Sequence, residues 1–151
     1  MTTTIESSND LAVLDGALTE EERAWWLARC KTGAQSTALP LEEFEHTTLW
    51  NGVRLWARGM PLINCLLFEI VAGHETEMHQ DVGEFVVLYY PESCPGGPLR
   101  VQIAGDVRDV EVIANRLVIL DCTSVPHQQV VPPKGSTRYS VAFKFRQPPI
   151  H

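Results

Sequence analysis

From Leu62 to Phe145 the chain is a succession of short β-rich runs separated by turn residues, and that pattern rules out a helical bundle. The runs are LINCLLFEIV, EFVVLYY, PLRVQIA, DVEVIA, RLVILDC, HQQVV and TRYSVAFKF. Between them stand Pro91 to Pro98, Gly105-Asp106, Asn115 and Pro132 to Gly135, all residue types that reverse the backbone. Earlier, TTLWNGVRLWA places Asn51-Gly52 between two β-rich halves and predicts one more hairpin. Roughly eight or nine short strands at such spacing fit a sandwich or barrel. One stretch, LTEEERAWWLARCKTG, reads as helix. Thr19 and Glu22 match a capping box, and acidic residues fill the first turn. Trp26, Leu27 and Cys30 share one side, and Gly33 is the expected stop. The expected fold is mainly β: a jelly roll with one or two N-terminal helices packed outside.

A chain of 151 residues with 44% hydrophobic content suits one domain with a real core, residues 1–151. Its first ten residues are polar and are expected to be disordered. The net charge is −7 and no basic cluster occurs, so neither nucleic acid nor an anionic membrane is an expected partner. The longest apolar run, PLINCLLFEIVAG, is broken by Asn64 and Glu69 and is too short to span a bilayer. The opening residues lack the basic and apolar regions of a secretory signal. Cys30, Cys65, Cys94 and Cys122 are scattered with no C-x-x-C pair, which reads as free thiols in a cytoplasmic protein, with Cys94 and Cys122 expected to be unreactive. The sequence does not choose between monomer and homodimer.

The chemistry begins at His79-Gln80-Asp81. On extended backbone, residues two apart share a face, so an imidazole and a carboxylate point together. With a third ligand they would form a 2-His-1-carboxylate set, which binds ferrous iron and leaves positions open. His74 is read as a surface histidine instead, and terminal His151 is given no role. Downstream, PHQQVVPPKGSTRYSVAFKF reads as strand, turn and strand. A loop at Pro132 to Gly135 would set Gln129 opposite Arg138 and His127 opposite Ser140, on one face of a hairpin. Arg138 would then lie roughly 7 Å along from His127. A guanidinium inside a small apolar fold is costly unless it meets an anion, and its fork suits a carboxylate.

These pieces, GHETEMHQD, then VVLYYPESCPGGPLRV, then NRLVILDCTSVPHQQVVPPKGSTRYSVAFKF, resemble the 2-oxoglutarate/Fe(II)-dependent oxygenases, most closely their prolyl-hydroxylase-like branch. The resemblance covers about residues 61–146. It implies a double-stranded β-helix in which His79, Asp81 and His127 hold Fe(II). It also implies that Arg138 and Ser140 bind the C5 carboxylate of 2-oxoglutarate, with Tyr90, or Tyr89 if the register slips by one, touching it and Leu99 packing against the cosubstrate. The implied reaction couples O2 and 2-oxoglutarate to oxidation of an unactivated C–H, releasing succinate and CO2. Family halogenases lack the carboxylate ligand, so Asp81 favours hydroxylation, desaturation or ring formation. The chain departs from the family at Ile70, where a tyrosine is usual. The expected substrate is a small molecule, amino acid or peptide. For its recognition the candidates are Arg54, Arg58 or Arg100 for a carboxylate and Trp56 as a platform. The competing expectation is a cupin-type metal dioxygenase or isomerase that does not use 2-oxoglutarate, in which Arg138 would have no reason to be inside. A third is a binding module with a vestigial metal site, against which the full ligand set argues.

Overall fold

The computed structural model describes residues 2–72 and 77–148; His74 and His151 lie outside them. Two antiparallel sheets face each other, and two helices cover the back of the larger one. The strands are β1 (Thr3–Ser7), β2 (Leu11–Asp15), β3 (Ser36–Ala38), β4 (Leu62–Val71), β5 (Glu84–Tyr90), β6 (Leu99–Ile103), β7 (Asp106–Val110), β8 (Arg116–Asp121), β9 (His127–Gln129) and β10 (Thr137–Arg146). The major sheet runs β1-β2-β8-β5-β10-β4-β3 and the minor one β7-β6-β9. Helix α1 spans Glu20–Cys30 and α2 spans Thr48–Ala57, with a 3₁₀ turn at Leu41–Glu43 between them. This is the expected jelly roll.

Alternation along the strands builds two cores from one sheet. On β5, Val86, Leu88 and Tyr90 face the minor sheet, while Phe85, Val87 and Tyr89 face the helices. On β8, Val118 and Leu120 face in and Leu117 and Ile119 face out. Val141, Phe143 and Phe145 of β10 join the outer, helix-covered core, and Ala142 joins the inner one. Trp26 and Cys30 anchor α1 in the outer core, as their helical spacing predicts. Thr19 caps α1 by accepting from Glu22 N at 3.2 Å.

Four expectations are corrected. Residues 48–57, read as a hairpin about Asn51-Gly52, form helix α2. Thr47 Oγ1 caps it by accepting from Trp50 N at 3.2 Å. The Glu22 carboxylate reaches across from α1 to accept from Thr48 N and Leu49 N at 2.8 and 3.0 Å. Leu49, Val53 and Ala57 then bury one helical stripe against the sheet. Burial of such side chains, at about 1.5–3 kcal/mol each, exceeds the ~1 kcal/mol that mid-helix Gly52 costs.

The second correction concerns the terminus. Thr3–Ser7, expected to be disordered, pairs with β2, and β2 continues the major sheet onto β8. Apolar LAV at the start of β2 supplies the burial that the first ten residues lack. Third, the strand expected at 109–114 is Asp106–Val110 instead. Ala104 and Gly105, at φ 54° and 85°, make a two-residue turn of the kind that matches strand twist, which starts β7 at Asp106.

Fourth, β9 and β10 are not a hairpin. β9 pairs with β6 in the minor sheet, whereas β10 lies between β4 and β5 in the major sheet. The Val130–Ser136 connection therefore crosses the sandwich. His127, Gln129, Arg138 and Ser140 still face one interior, but from opposite walls.

Candidate metal centre

His79 lies just before β5, and His127 opens β9. Their backbones bond reciprocally, His79 N to His127 O at 3.0 Å and His127 N to His79 O at 2.8 Å. This isolated bridge sets the two imidazoles side by side, with ring centroids 4.5 Å apart. Asp81 Oδ2 lies 3.1 Å from His127 Nε2 and 3.4 Å from His79 Nε2. The ligating atoms of the three residues all fall within 4.8 Å of one another, and no other such trio occurs among the described residues.

The tautomers follow from the backbone. His79 Nδ1 sits 2.7 Å from Glu77 O, and His127 Nδ1 sits 2.9 Å from Val125 O. A carbonyl only accepts, so each Nδ1 donates to it and each Nε2 is turned toward Asp81 Oδ2, the orientation that metal ligation through Nε2 would use. Donors bound to one ion at about 2.1 Å and right angles would lie about 3 Å apart. The separations from Asp81 Oδ2 agree. Two imidazole nitrogens and one carboxylate oxygen fit a ferrous ion with open positions.

The turn after β8 latches this segment in place. Gln80 Nε2 donates to Thr123 O at 2.7 Å, Asp81 N to Cys122 O at 3.0 Å and Gly83 N to Thr123 Oγ1 at 2.8 Å. The Asp121 carboxylate holds the turn itself, accepting from Thr123 N, Ser124 N and Gln147 Nε2. Nothing in the pattern of the sequence marked Thr123 or Gln147 for this role.

Arg138 projects into the same interior and is 4% exposed. Its Nη1 donates to Gly97 O at 3.1 Å and to Val130 O. Among the described residues no carboxylate lies within 4 Å of it. Burial pulls its pKa below the ordinary guanidinium value, opposed by Tyr90 and Cys94. Gly97 leaves room for this approach, since a Cβ there would sit tightly at 3.3 Å from Arg138 Nη1 and 3.2 Å from Pro132 Cα. Ser140, also buried, follows two residues later on the same face.

Tyr90 is fully buried, and its hydroxyl has no hydrogen-bond partner among the described residues. Burial pushes its phenol up to about 12, while Arg138 and the Gln129 side chain draw it down. Tyr89 faces the other way and donates to Asn115 Oδ1 at 2.7 Å, so Tyr90 is the inward tyrosine. A cavity of about 200 Å³ opens here. Arg138, Ser140 and Gln129 are its polar lining, Phe68, Ile70 and Leu88 its apolar lining, and exposed Gln35 its remaining member. Ile70 is the Cα partner of Arg138. Leu99 is buried opposite Gln129 on the inner face of the minor sheet.

The candidate substrate residues do not gather here. Arg54 is exposed on α2, behind the major sheet. Trp56 and Arg58 line a separate cavity of about 250 Å³ with the β1–β2 turn, Met60 and Phe85. Arg100 points out of the minor sheet and pairs with Asp109 at 2.8 Å. Turning residues 48–57 from hairpin to helix removed the first three from the pocket, and strand alternation removed Arg100. All four cysteines are free and buried, and burial pushes the Cys30 and Cys122 thiols up to about 12, consistent with unreactive groups. Among the described residues no helix is long and apolar enough to cross a membrane.

No protein-family model and no curated protein sequence matches the chain. Solved structures do. A prolyl-4-hydroxylase from Pseudomonas putida superposes with a TM-score of 0.73 at 19% identity, over 93% of this chain and 94% of that one. HygX from Streptomyces hygroscopicus, solved with nickel and 2-oxoglutarate bound, gives 0.68 at 10% identity, over 91% and 82%. SnoN, a non-heme α-ketoglutarate-dependent epimerase from nogalamycin biosynthesis, gives 0.72 at 13% identity, over 91% and 78%. The chain therefore has the jelly-roll fold that these non-heme enzymes share.

Proposed function

We propose that this single domain is an Fe(II)- and 2-oxoglutarate-dependent oxygenase. In this reading it hydroxylates an unactivated C–H of a small molecule, amino acid or peptide, in the cytoplasm. One observation carries the reading: a buried guanidinium with no carboxylate beside it among the described residues, at a cavity that shares strand β9 with a convergent His79, Asp81 and His127. An uncompensated buried cation costs several kcal/mol, a cost that a carboxylate arriving with a ligand removes. A cupin-type enzyme that does not bind 2-oxoglutarate has no use for this arginine.

Each residue has a defined task. His79, Asp81 and His127 hold the metal; Glu77 O and Val125 O fix the two imidazole tautomers. Arg138 and Ser140 receive the C5 carboxylate, and Tyr90 donates its otherwise unused O–H to it. Leu99, Phe68 and Leu88 exclude water from the cosubstrate and strengthen these charged contacts. Iron, when bound, supplies the O2-dependent decarboxylation of 2-oxoglutarate to succinate and CO2 that is coupled to substrate oxidation.

The test is an anaerobic mixture of protein, Fe(II) and 2-oxoglutarate, exposed to O2 beside panels of amino acids, peptides and small metabolites. Substrate-dependent succinate with an added oxygen atom in the product supports the proposal. Oxidation of any panel member without succinate contradicts it. A desaturated, cyclised or epimerised product would keep the cosubstrate and replace the outcome.

A further inference from the structure

Strand β10 carries two cations on its inner face. Arg138 is one. Lys144 is the other: it stands between Phe143 and Phe145 of the outer core, so alternation turns it inward. Its Cα partners are Val86 of the inner core and Asn64 on β4. The six residues from Arg138 to Lys144 cover about 20 Å at a strand rise of about 3.3 Å per residue. Ala142, Leu88 and Val118 lay an apolar band across the sheet between the two cations.

The metal ligands stand toward the Lys144 end. Leu120 on β8 is level with Val86, and Val86 with Lys144. Just past Leu120, Cys122 N donates to Glu84 O and Cys122 O accepts from Asp81 N. His79 bridges His127 beside this segment. From His127 the chain runs to Val130, whose carbonyl accepts from Arg138 at the other end. A ligand that reaches from Arg138 to the metal therefore leaves Lys144 beyond its reach.

Lys144 has no anion of its own. Among the described residues no carboxylate lies within 4 Å of it. Glu84, on the same face, stands opposite Arg146 in the ladder. Even the side-chain oxygen of Asn64, its partner on β4, is without a hydrogen bond among the described residues. Lys144 is half-buried, and the metal ligands at this end are open to solvent, His79 at 44% and Asp81 at 38%. A lysine is a point charge on a flexible stem, suited to an anion that arrives from solution.

We propose that Lys144 is a specificity-determining residue that binds a carboxylate of the substrate. The substrate is then a carboxylate-bearing molecule, a free amino acid or the C-terminus of a peptide, and not an internal peptide segment. This rests on the oxygenase reading above, and it supplies the substrate-binding cation that Arg54, Arg58 and Arg100 do not.

The test uses protein loaded with Mn(II) and saturated with 2-oxoglutarate under anaerobic conditions. Free amino acids, short peptides and the carboxamide of each are the probes, and the readout is broadening of probe proton resonances by the bound Mn(II). Carboxylates should be broadened at about tenfold lower concentration than their carboxamides, the size of one hydrogen bond between charged groups. Lys144→Met should abolish that preference, and Lys144→Arg, which keeps the cation, should retain it. Whether free amino acids or peptides respond tells the two sources apart. Mn(II) and 2-oxoglutarate affinities, measured by calorimetry, show that each variant has an intact site; if Lys144→Met loses them, Lys144→Gln takes its place. Equal broadening by carboxylates and carboxamides, or a preference that survives Lys144→Met, overturns the inference and leaves the oxygenase reading standing. Failure of the wild-type protein to bind 2-oxoglutarate overturns both.

Discussion

The outer and inner cores are made from alternate residues of the same strands, yet they close in different ways. The outer core packs Trp26, Phe44, Trp50 and Phe143 edge to face or tilted, with centroids 5.3–6.0 Å apart. Its buried orphan is the neutral indole N–H of Trp26. The inner core is aliphatic along β5, β6 and β8 but ends at Tyr90, Arg138, Ser140 and His127. There, among the described residues, a phenol has no hydrogen-bond partner, and a guanidinium meets backbone carbonyls but no carboxylate. A neutral N–H left unpaired costs about 1–3 kcal/mol, and a buried lone charge costs more. One face of the sheet therefore supplies stability, and the other carries a local cost that, in the proposed function, a ligand removes.

That contrast breaks first where the outer core is cut. Phe143→Ala should lose about 3–5 kcal/mol in urea unfolding, while the folded fraction keeps wild-type Mn(II) affinity. A comparable loss of metal binding would show that the two cores are not separable. Arg138→Met acts on the other side with opposite sign. It should weaken 2-oxoglutarate on the order of a hundredfold or more, yet leave the melting temperature of ligand-free protein unchanged or higher. A large drop in melting temperature would mean that the guanidinium is structural. Asp81→Ala removes the carboxylate that faces both imidazoles and, in the proposed function, should lower Mn(II) affinity about a hundredfold or more, measured by calorimetry, with the fold intact by circular dichroism. The smallest effect sharpens the picture of α2. Thr47→Ala removes its cap, which should cost about 1 kcal/mol of stability and nothing in 2-oxoglutarate affinity.

Much of the inner core was legible because period-2 alternation is local. His79 and Asp81, and Arg138 and Ser140, each follow from a spacing of two on extended backbone, whereas Tyr90 came from the family resemblance, which left Tyr89 open. What the pattern could not separate was a hairpin from a crossing: residues 127–140 face one interior either way. The Asn51-Gly52 signal failed because helix α2 is decided by distant groups, the Glu22 carboxylate and the sheet it packs on. Strand β1 was hidden for a similar reason, since Thr3–Ser7 is mostly exposed and becomes a strand only through its partner β2. Moving Arg54, Trp56 and Arg58 to the back of the sheet followed from that single error.

The most direct measurement is a calorimetric titration of 2-oxoglutarate into the protein, made with and without Mn(II), in wild type and in Arg138→Met. The account expects tight binding only when the metal and the arginine are both present. Binding of equal strength without Mn(II), or in Arg138→Met, would contradict it.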